Sequence, residues 1–471
     1  MVGIKEIAVH LPYYRLTKEA IGSAWGAKGG TGERRVANFD EDSITMAIEA
    51  GFKCLKQNGR DHIKGLYFAS TTAPYWEKQC SGICAGVLDL PPDIRTSDFG
   101  GSTRSGTNAI LSAVDAVKGG LGDVLVLTAD CRPALPRSNL ESLFGDAGAA
   151  ILLGDSDVIC DFRDSYSIWD DITDVWRMDK DDFVKTWEDR FVVQMGYEKN
   201  LERSVKTILE RNNLKAEDID KVVFYGPDSR SHKRMIRRLG FKPEQVQDSL
   251  LDKIGNTGSP QVLIMLAAAL SDAKPGHKII WANFGSGSDA FLLEVTAEIE
   301  KRDISLTTVL PLDVGEELSY QKYLAFRGFV QTPQELVRLF PSASVMWRTR
   351  NWVSSLHGSK CNRCGTITFP VQRVCYSCKA KDDFEEVRLS DKKGKVFSYS
   401  LDNLAGGPNP PTIQTIVETE GGARIYCLMT DCNPKEIEIG VPVEMTLRLF
   451  HEEGGFYNYY WKCRPVYGDQ A

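Results

Sequence analysis

The 471-residue chain has no apolar run approaching the roughly 20 residues that a membrane-spanning helix needs. Its opening residues, Met1-Val2-Gly3-Ile4-Lys5-Glu6, lack the long apolar core of a secretory signal. An excess of positive charge is missing too, since 57 Lys and Arg stand against 64 Asp and Glu for a net charge of −7. A protein that grips a polyanion has the opposite balance, so neither a nucleic-acid partner nor a membrane is expected, and the expected location is cytoplasmic. The cysteines do not form a disulfide framework: of 12, four stand in one tight cluster and eight are scattered, which fits reducing surroundings and one metal site. With 42% hydrophobic and 26% charged residues, the chain is long enough for two or three domains with full cores.

A thiol is also absent from the stretch around which the first part is organised. Asp98-Phe99-Gly100-Gly101-Ser102-Thr103-Arg104-Ser105-Gly106-Thr107 runs into a helical pattern with Ile110, Leu111, Ala113, Val114 and Val117 on one face. Glycines and hydroxyls at a helix mouth let backbone N–H groups approach a ligand, an arrangement that favours anions and oxyanions.

Strands and helices alternate around this stretch. Residues 2–9, 63–69 and 124–128 read as strands, and residues 41–55 read as a helix with Ile44, Ala47, Ile48, Gly51, Phe52 and Leu55 inward. The pattern then recurs. A helix at 201–211, a strand at 221–225, a helix at 231–239, the turn Gly255-Asn256-Thr257-Gly258-Ser259, a Leu- and Ala-rich helix and a strand at 278–284 follow in the same order. Two copies of one α/β unit are therefore expected.

This duplicated pattern, with Gly255 to Ser259 and Asn283-Phe284-Gly285-Ser286-Gly287-Ser288-Asp289-Ala290, resembles the hydroxymethylglutaryl-CoA synthase branch of the thiolase superfamily. The segments 166–177 and 320–328 add to the likeness, which spans residues 1–330. It implies a layered αβαβα fold and a coenzyme A thioester as substrate. Family members use a cysteine nucleophile, a glutamate and a histidine. Matching motifs put those places on Thr103, on Thr71 (or Thr72) and on Tyr225, so all three are changed. Asn256 falls where the family orients the acyl group, and the backbone of Gly285, Ser286 and Gly287 falls where oxyanion donors are expected.

A threonine hydroxyl needs an adjacent base to act as a nucleophile, and neither partner position supplies one. The resemblance therefore implies making or breaking a carbon–carbon bond by aldol or retro-aldol chemistry without an acyl-cysteine. Tyr225 is the expected acid/base, unless it only fills the histidine's space, with Thr71 and Thr103 as pocket polar groups. Two alternatives are a non-catalytic subunit that scaffolds a separate cysteine-bearing thiolase, and a true synthase using Cys80, Cys84 or Cys131. A homodimer or a larger complex with a thiolase-type subunit is the expected assembly. Arg230, Lys233, Arg234, Arg237 and Arg238 put five cations on one helix, suited to the phosphates of coenzyme A or to a solvated face. His232 belongs to that run and is read as exposed.

After residue 330 the composition changes. A helical linker is expected over 331–360, with a connecting helix at 331–340. Cys361-Asn-Arg-Cys364 and Cys375-Tyr-Ser-Cys378 follow, ten residues apart, and read as a four-thiolate structural zinc site in a rubredoxin-like ribbon over 361–385. Five strand-like stretches at 396–401, 413–418, 424–430, 443–450 and 456–465 then suggest a small OB-fold barrel over 386–471. Ribbon and barrel together resemble acyl-CoA-associated proteins that accompany thiolases.

Overall fold

Two repeats of one topology build the first of two units in the computed structural model, which describes residues 1–56, 59–333 and 342–467. This unit comprises Met1–Ala37, Asp42–Ala85 and Leu90–Tyr320. Its main sheet has nine strands: β1 (Gly3–His10), β2 (Ile63–Ala69), β3 (Arg95–Phe99), β4 (Asp123–Asp130), β5 (Ala147–Gly154), β6 (Cys160–Trp169), β7 (Lys221–Phe224), β8 (Lys278–Phe284) and β9 (Gly287–Val295). They lie in the order β7-β8-β9-β6-β1-β5-β4-β2-β3.

The order is nearly a palindrome. On one side β1 pairs antiparallel with β5, β5 antiparallel with β4, and β4 parallel with β2; on the other, β6, β9, β8 and β7 repeat those relations. The halves meet where Gly3 and Ile4 face Asp161 and Cys160. Every residue of β4 and β5 is buried, as expected of strands covered on both faces.

Helices α1 (Ser43–Leu55) and α2 (Ser105–Lys118) in the first half correspond to α3 (Lys199–Arg211) and α4 (Gln261–Leu270) in the second. All ten residues of α4 are buried, which its run of Val, Leu, Ile, Met and Ala requires of a helix in the middle layer. Thr103 to Ser105 and Gly258 to Gln261 thus enter the two repeats at equivalent points. Ser105 Oγ and Ser259 Oγ lie 3.0 Å apart. The duplicated, layered α/β fold expected from the sequence is present.

The second unit comprises Asn38–Glu41, Gly86–Asp89 and Gln321–Ala471. Of the connecting helix expected at 331–340, residues 334–340 lie outside the described residues; a helix spans Ala343–Val353. Strands His357–Cys361, Ile367–Thr368 and Phe384–Arg388 form a small antiparallel sheet carrying the cysteines. Strands Gly394–Asp402, Thr412–Thr419, Arg424–Met429, Pro442–Glu453 and Phe456–Pro465 close into a five-stranded barrel, the OB-type architecture anticipated. Within this unit Arg448 is fully buried and paired with Asp40, Glu41 and Asp431, while Lys462 pairs with Asp40 at 2.7 Å. Removing one partner from such a network costs about 3–5 kcal/mol, because the remaining charge stays in the interior. Among the described residues no helix is long and apolar enough to cross a membrane.

Candidate active site

Strand β7 ends at Phe224, so Tyr225 is the first residue beyond the sheet, where ligand sites of α/β proteins gather. Its backbone is held on both sides: Tyr225 N donates to Ala282 O at 3.1 Å, and Tyr197 Oη donates to Tyr225 O at 2.9 Å. The Tyr225 side chain is buried and its hydroxyl lies 2.8 Å from Asn256 Nδ2.

The turn 255–259 brings Asn256 there, and a buried arginine fixes which end of its amide faces which way. Arg132 Nη2 donates to Asn256 Oδ1 at 2.7 Å, and Gly258 N donates to the same oxygen at 3.1 Å. Arginine has only donors, so the oxygen must face Arg132 and the NH2 group must face Tyr225. Arg132 is itself held with its guanidinium 3.9 Å over the Phe144 ring. Tyr225 therefore accepts from Asn256, and its own proton finds no acceptor among the described residues. Burial pushes the Tyr225 phenol above its ordinary range, only partly offset by the charge of Arg132 and the Asn256 amide. The hydroxyl stays protonated at neutral pH.

Asp130, at the end of β4, ties the two repeats together below this cluster. It is fully buried. Its Oδ1 accepts from Ser70 Oγ (3.0 Å) and Thr71 N (2.6 Å), while Oδ2 accepts from Ser259 N and Ser259 Oγ, both at 2.7 Å. The loop carrying Thr71 and the loop carrying Asn256 are thus fastened to one carboxylate. Thr71 Oγ1 is buried and makes no hydrogen bond among the described residues.

Thr103 lies at the mouth of α2, also buried, with Oγ1 donating to Phe284 O at 3.1 Å. Its hydroxyl proton is committed to the protein. Gly285 has no room for a side chain, because a Cβ there would lie 2.5 Å from Thr103 Oγ1 and 2.9 Å from Arg104 N. Gly285 N donates across the turn to Gly287 O at 3.0 Å, which removes it from the free oxyanion donors; Ser286 N has no such acceptor among the described residues. Ser286 adopts φ +49° and Gly287 φ +118°. Arg104 holds this turn by bonding Ser286 O (3.3 Å), Ile168 O (3.0 Å) and Asp289 Oδ1 (3.0 Å).

The basic helix Ser229–Leu239 divides into two sets. Arg234 and Arg238 are paired with Glu198, and Arg238 also with Glu202, whereas Arg230, Lys233 and Arg237 are exposed and carry no ion pair among the described residues. His232 is not exposed as its charged neighbours suggest. It is buried, stacked on Phe224 with ring centroids 4.4 Å apart, and burial pushes its pKa down to about 4. The physical reason is helical phase: Ser231, His232, Met235 and Leu239 share the inward face.

Among the thiols considered as substitutes, Cys80 is pushed up to about 12 by burial and the nearby Asp98 charge, and Cys84 is raised as well. Cys131 is half-buried beside the site, its N–H donating to Thr72 Oγ1 at 3.0 Å. In the second unit the sulfur atoms of Cys361, Cys364, Cys375 and Cys378 all lie within 4.8 Å of one another, two pairs at 3.6 Å. A tetrahedral zinc with ~2.3 Å bonds separates its sulfurs by ~3.8 Å, so the four fit a closed thiolate site.

Comparison with known proteins agrees with both units. Residues 209–294 match the family described as 3-oxoacyl-[acyl-carrier-protein] synthase III C terminal, and residues 386–448 match the ChsH2 C-terminal OB-fold domain. Hydroxymethylglutaryl-CoA synthase of Thermococcus onnurineus is 33% identical over 336 residues, covering 69% of this chain and 96% of that protein. The Pyrococcus horikoshii synthase is 34% identical over 310 residues, covering 64% and 88%. Among solved structures, an HMG-CoA synthase complexed with CoA superimposes with a TM-score of 0.64 at 18% identity, covering 72% of this chain and 95% of the other. A 3-oxoacyl-[acyl-carrier-protein] synthase III from Aquifex aeolicus gives 0.56 at 20% identity, covering 62% and 100%.

Proposed function

This chain belongs to the hydroxymethylglutaryl-CoA synthase family, and from that premise we propose that it makes or breaks a carbon–carbon bond in a coenzyme A thioester by aldol chemistry, without an acyl-cysteine. The observation that carries the reading is the directed bond from Asn256 to Tyr225, which leaves the phenol proton available to a substrate oxygen. Thr103 does not serve as nucleophile, because its hydroxyl donates to Phe284 O and the two partner positions, Thr71 and Tyr225, supply no base.

In the condensing direction, an enolate formed next to the thioester carbonyl attacks a second carbonyl. The oxygen of that carbonyl becomes an alkoxide, to which the Tyr225 hydroxyl donates a hydrogen bond. In the cleaving direction the same atoms run backwards, and negative charge returns to the thioester oxygen. Ser286 N and the buried Thr71 hydroxyl are the further donors available to it. The phosphates of coenzyme A are met by Arg230, Lys233 and Arg237, the three cations of their helix that carry no ion pair among the described residues. Zinc held by Cys361, Cys364, Cys375 and Cys378 supplies structure only, since four protein ligands leave no open position. The chain works as a homodimer or with a thiolase-type subunit.

The test is turnover of 3-hydroxy-3-methylglutaryl-CoA and acetyl-CoA by the purified chain, with thioester binding measured separately by calorimetry. Binding with turnover that depends on Tyr225 supports the reading. The second reading, a non-catalytic partner of a cysteine-bearing thiolase, is favoured by the commitment of the Thr103 hydroxyl to Phe284. Binding without turnover, together with stoichiometric capture of a thiolase from the native host, would establish it instead.

A further inference from the structure

The proposed aldol chemistry needs a group that takes a proton from carbon or from a hydroxyl, and neither a protonated, buried Tyr225 nor a threonine can do so. The segment following β6 supplies one. Residues 170–177 are tied down at both ends to loops of the site: Asp170 N donates to Ser286 O at 3.3 Å, and Arg177 Nη2 donates to Thr71 O at 3.4 Å. The short pairing of Val175–Trp176 with Lys185–Thr186 fixes the middle, helped by Thr186 Oγ1 on Asp174 O at 3.0 Å. Val184 N then donates to Pro133 O at 2.9 Å, next to Arg132. The segment carrying Asp174 is thus anchored to the Ser286 turn and the Thr71 loop, and Asp174 lies near enough to Arg132 and Tyr225 for their charges to act on one another.

We propose that Asp174 is the proton-transfer carboxylate of this site, an assignment that rests on the non-covalent thioester reading above. One of its oxygens, Oδ1, accepts from Val175 N at 2.7 Å, and the carboxylate also meets its own backbone N–H; the oxygen that Val175 does not hold is the atom that takes the proton. In the condensing direction Asp174 removes a proton from the carbon next to the thioester carbonyl. The C–H bond breaks, its electron pair forms the C=C bond of the enolate, and the carbonyl π pair moves onto the thioester oxygen. In the cleaving direction Asp174 takes the proton of the β-hydroxyl. That O–H pair forms the new carbonyl, the carbon–carbon bond breaks, and its electrons pass to the thioester enolate. Asp174 then gives up the proton it took, to the new alkoxide in condensation and to the enolate carbon in cleavage, so no further reactant is needed.

The surroundings suit a base. Burial raises the Asp174 carboxyl above the usual carboxylate range, with its Val175 N–H and the Arg132 charge acting the other way, so the carboxylate is more basic than a solvated one. The charged and titratable groups acting on Asp174 and Tyr225 include Arg132 and Asp228, and Asp130, Arg104, Arg177 and Cys131 bond the loops around them. The family likeness marks 166–177 only as a matching segment and puts the missing proton carriers on Thr71 and Tyr225; the position of Asp174 makes it their replacement.

The experiment follows deuterium entering the carbon next to the thioester of acetyl-CoA and 3-hydroxy-3-methylglutaryl-CoA in D2O, read by mass spectrometry, with binding of each thioester measured in parallel. Native protein is expected to exchange that position. Asp174→Asn is expected to lower the rate at least ~100-fold with unchanged thioester affinity and melting temperature, the scale of a lost general base. Asp174→Glu, which keeps the carboxylate, is expected to retain part of the rate and also serves if the Asn variant folds poorly. Native-like exchange in Asp174→Asn would overturn the assignment while leaving the non-covalent reading intact. Native protein that binds both thioesters and exchanges neither would overturn that reading and the assignment with it.

Discussion

Asn256 donates its side-chain amide to the Tyr225 hydroxyl across 2.8 Å, and Arg132 on the far side of the amide sets the direction of that bond. A phenol held this way keeps its proton available to a substrate oxygen, which is the role proposed for it. Tyr225→Phe keeps the ring and removes only the donor. Turnover is expected to fall roughly 100- to 1000-fold, the effect of losing one oxyanion donor, with thioester affinity within a few-fold of native. Asn256→Asp turns the donor into an acceptor and is expected to lose a similar factor. Unchanged turnover in Tyr225→Phe would take Tyr225 out of the chemistry.

Much of this arrangement was legible in the sequence, and the remainder was hidden for identifiable reasons. The repeat showed because each half carries the same order of apolar strands and helix-opening glycine turns. Strand β6 did not: Asp161, Arg163 and Asp164 break its apolar run, and only pairing with β9 and β1 makes it a strand. Tyr225 and Asn256 were found by their motifs, while Arg132, Asp130 and Asp174 belong to no periodic pattern and acquire meaning only through what they touch. His232 was misread because its charged neighbours outweighed its place on the stripe with Met235 and Leu239.

That buried histidine gives a pH dependence of stability. Its pKa is held at about 4, below the 6.5 of a free imidazole, so the neutral ring stabilises the fold. The contribution is fully present above pH 6.5 and is lost as the pH falls toward 4, on the order of 3 kcal/mol. His232→Phe, which preserves the stack on Phe224, is expected to flatten this acid limb in melting curves taken between those two pH values. An unaltered limb would show that the loss arises elsewhere.

The ribbon cysteines predict one zinc per chain. Chelation is expected to release it and to remove a low-temperature transition from the calorimetric trace, because an isolated four-thiolate knuckle folds with its metal. Cys364→Ser and Cys378→Ser are expected to do the same without chelator. A chain that melts identically with and without metal, measured with elemental analysis, contradicts a structural zinc.

Restoring a thiol should not restore covalent chemistry. In Thr103→Cys the new side chain meets the same Gly285 turn, and the former partner positions carry Thr71 and Tyr225, neither of which accepts a proton at neutral pH. No acyl adduct is expected after incubation with acetyl-CoA. A Thr103→Cys adduct would show that some group, Asp174 among the candidates, serves as a base toward position 103.

The central claim is that this family member handles thioesters without bonding them to sulfur. Intact-protein mass spectrometry of the native chain, quenched in acid during turnover of acetyl-CoA and 3-hydroxy-3-methylglutaryl-CoA, tests it most directly. The account predicts an unmodified mass with all 12 cysteines free of acyl groups. An acyl group mapped to any of them, with Cys131 the thiol lying beside the site, would contradict it.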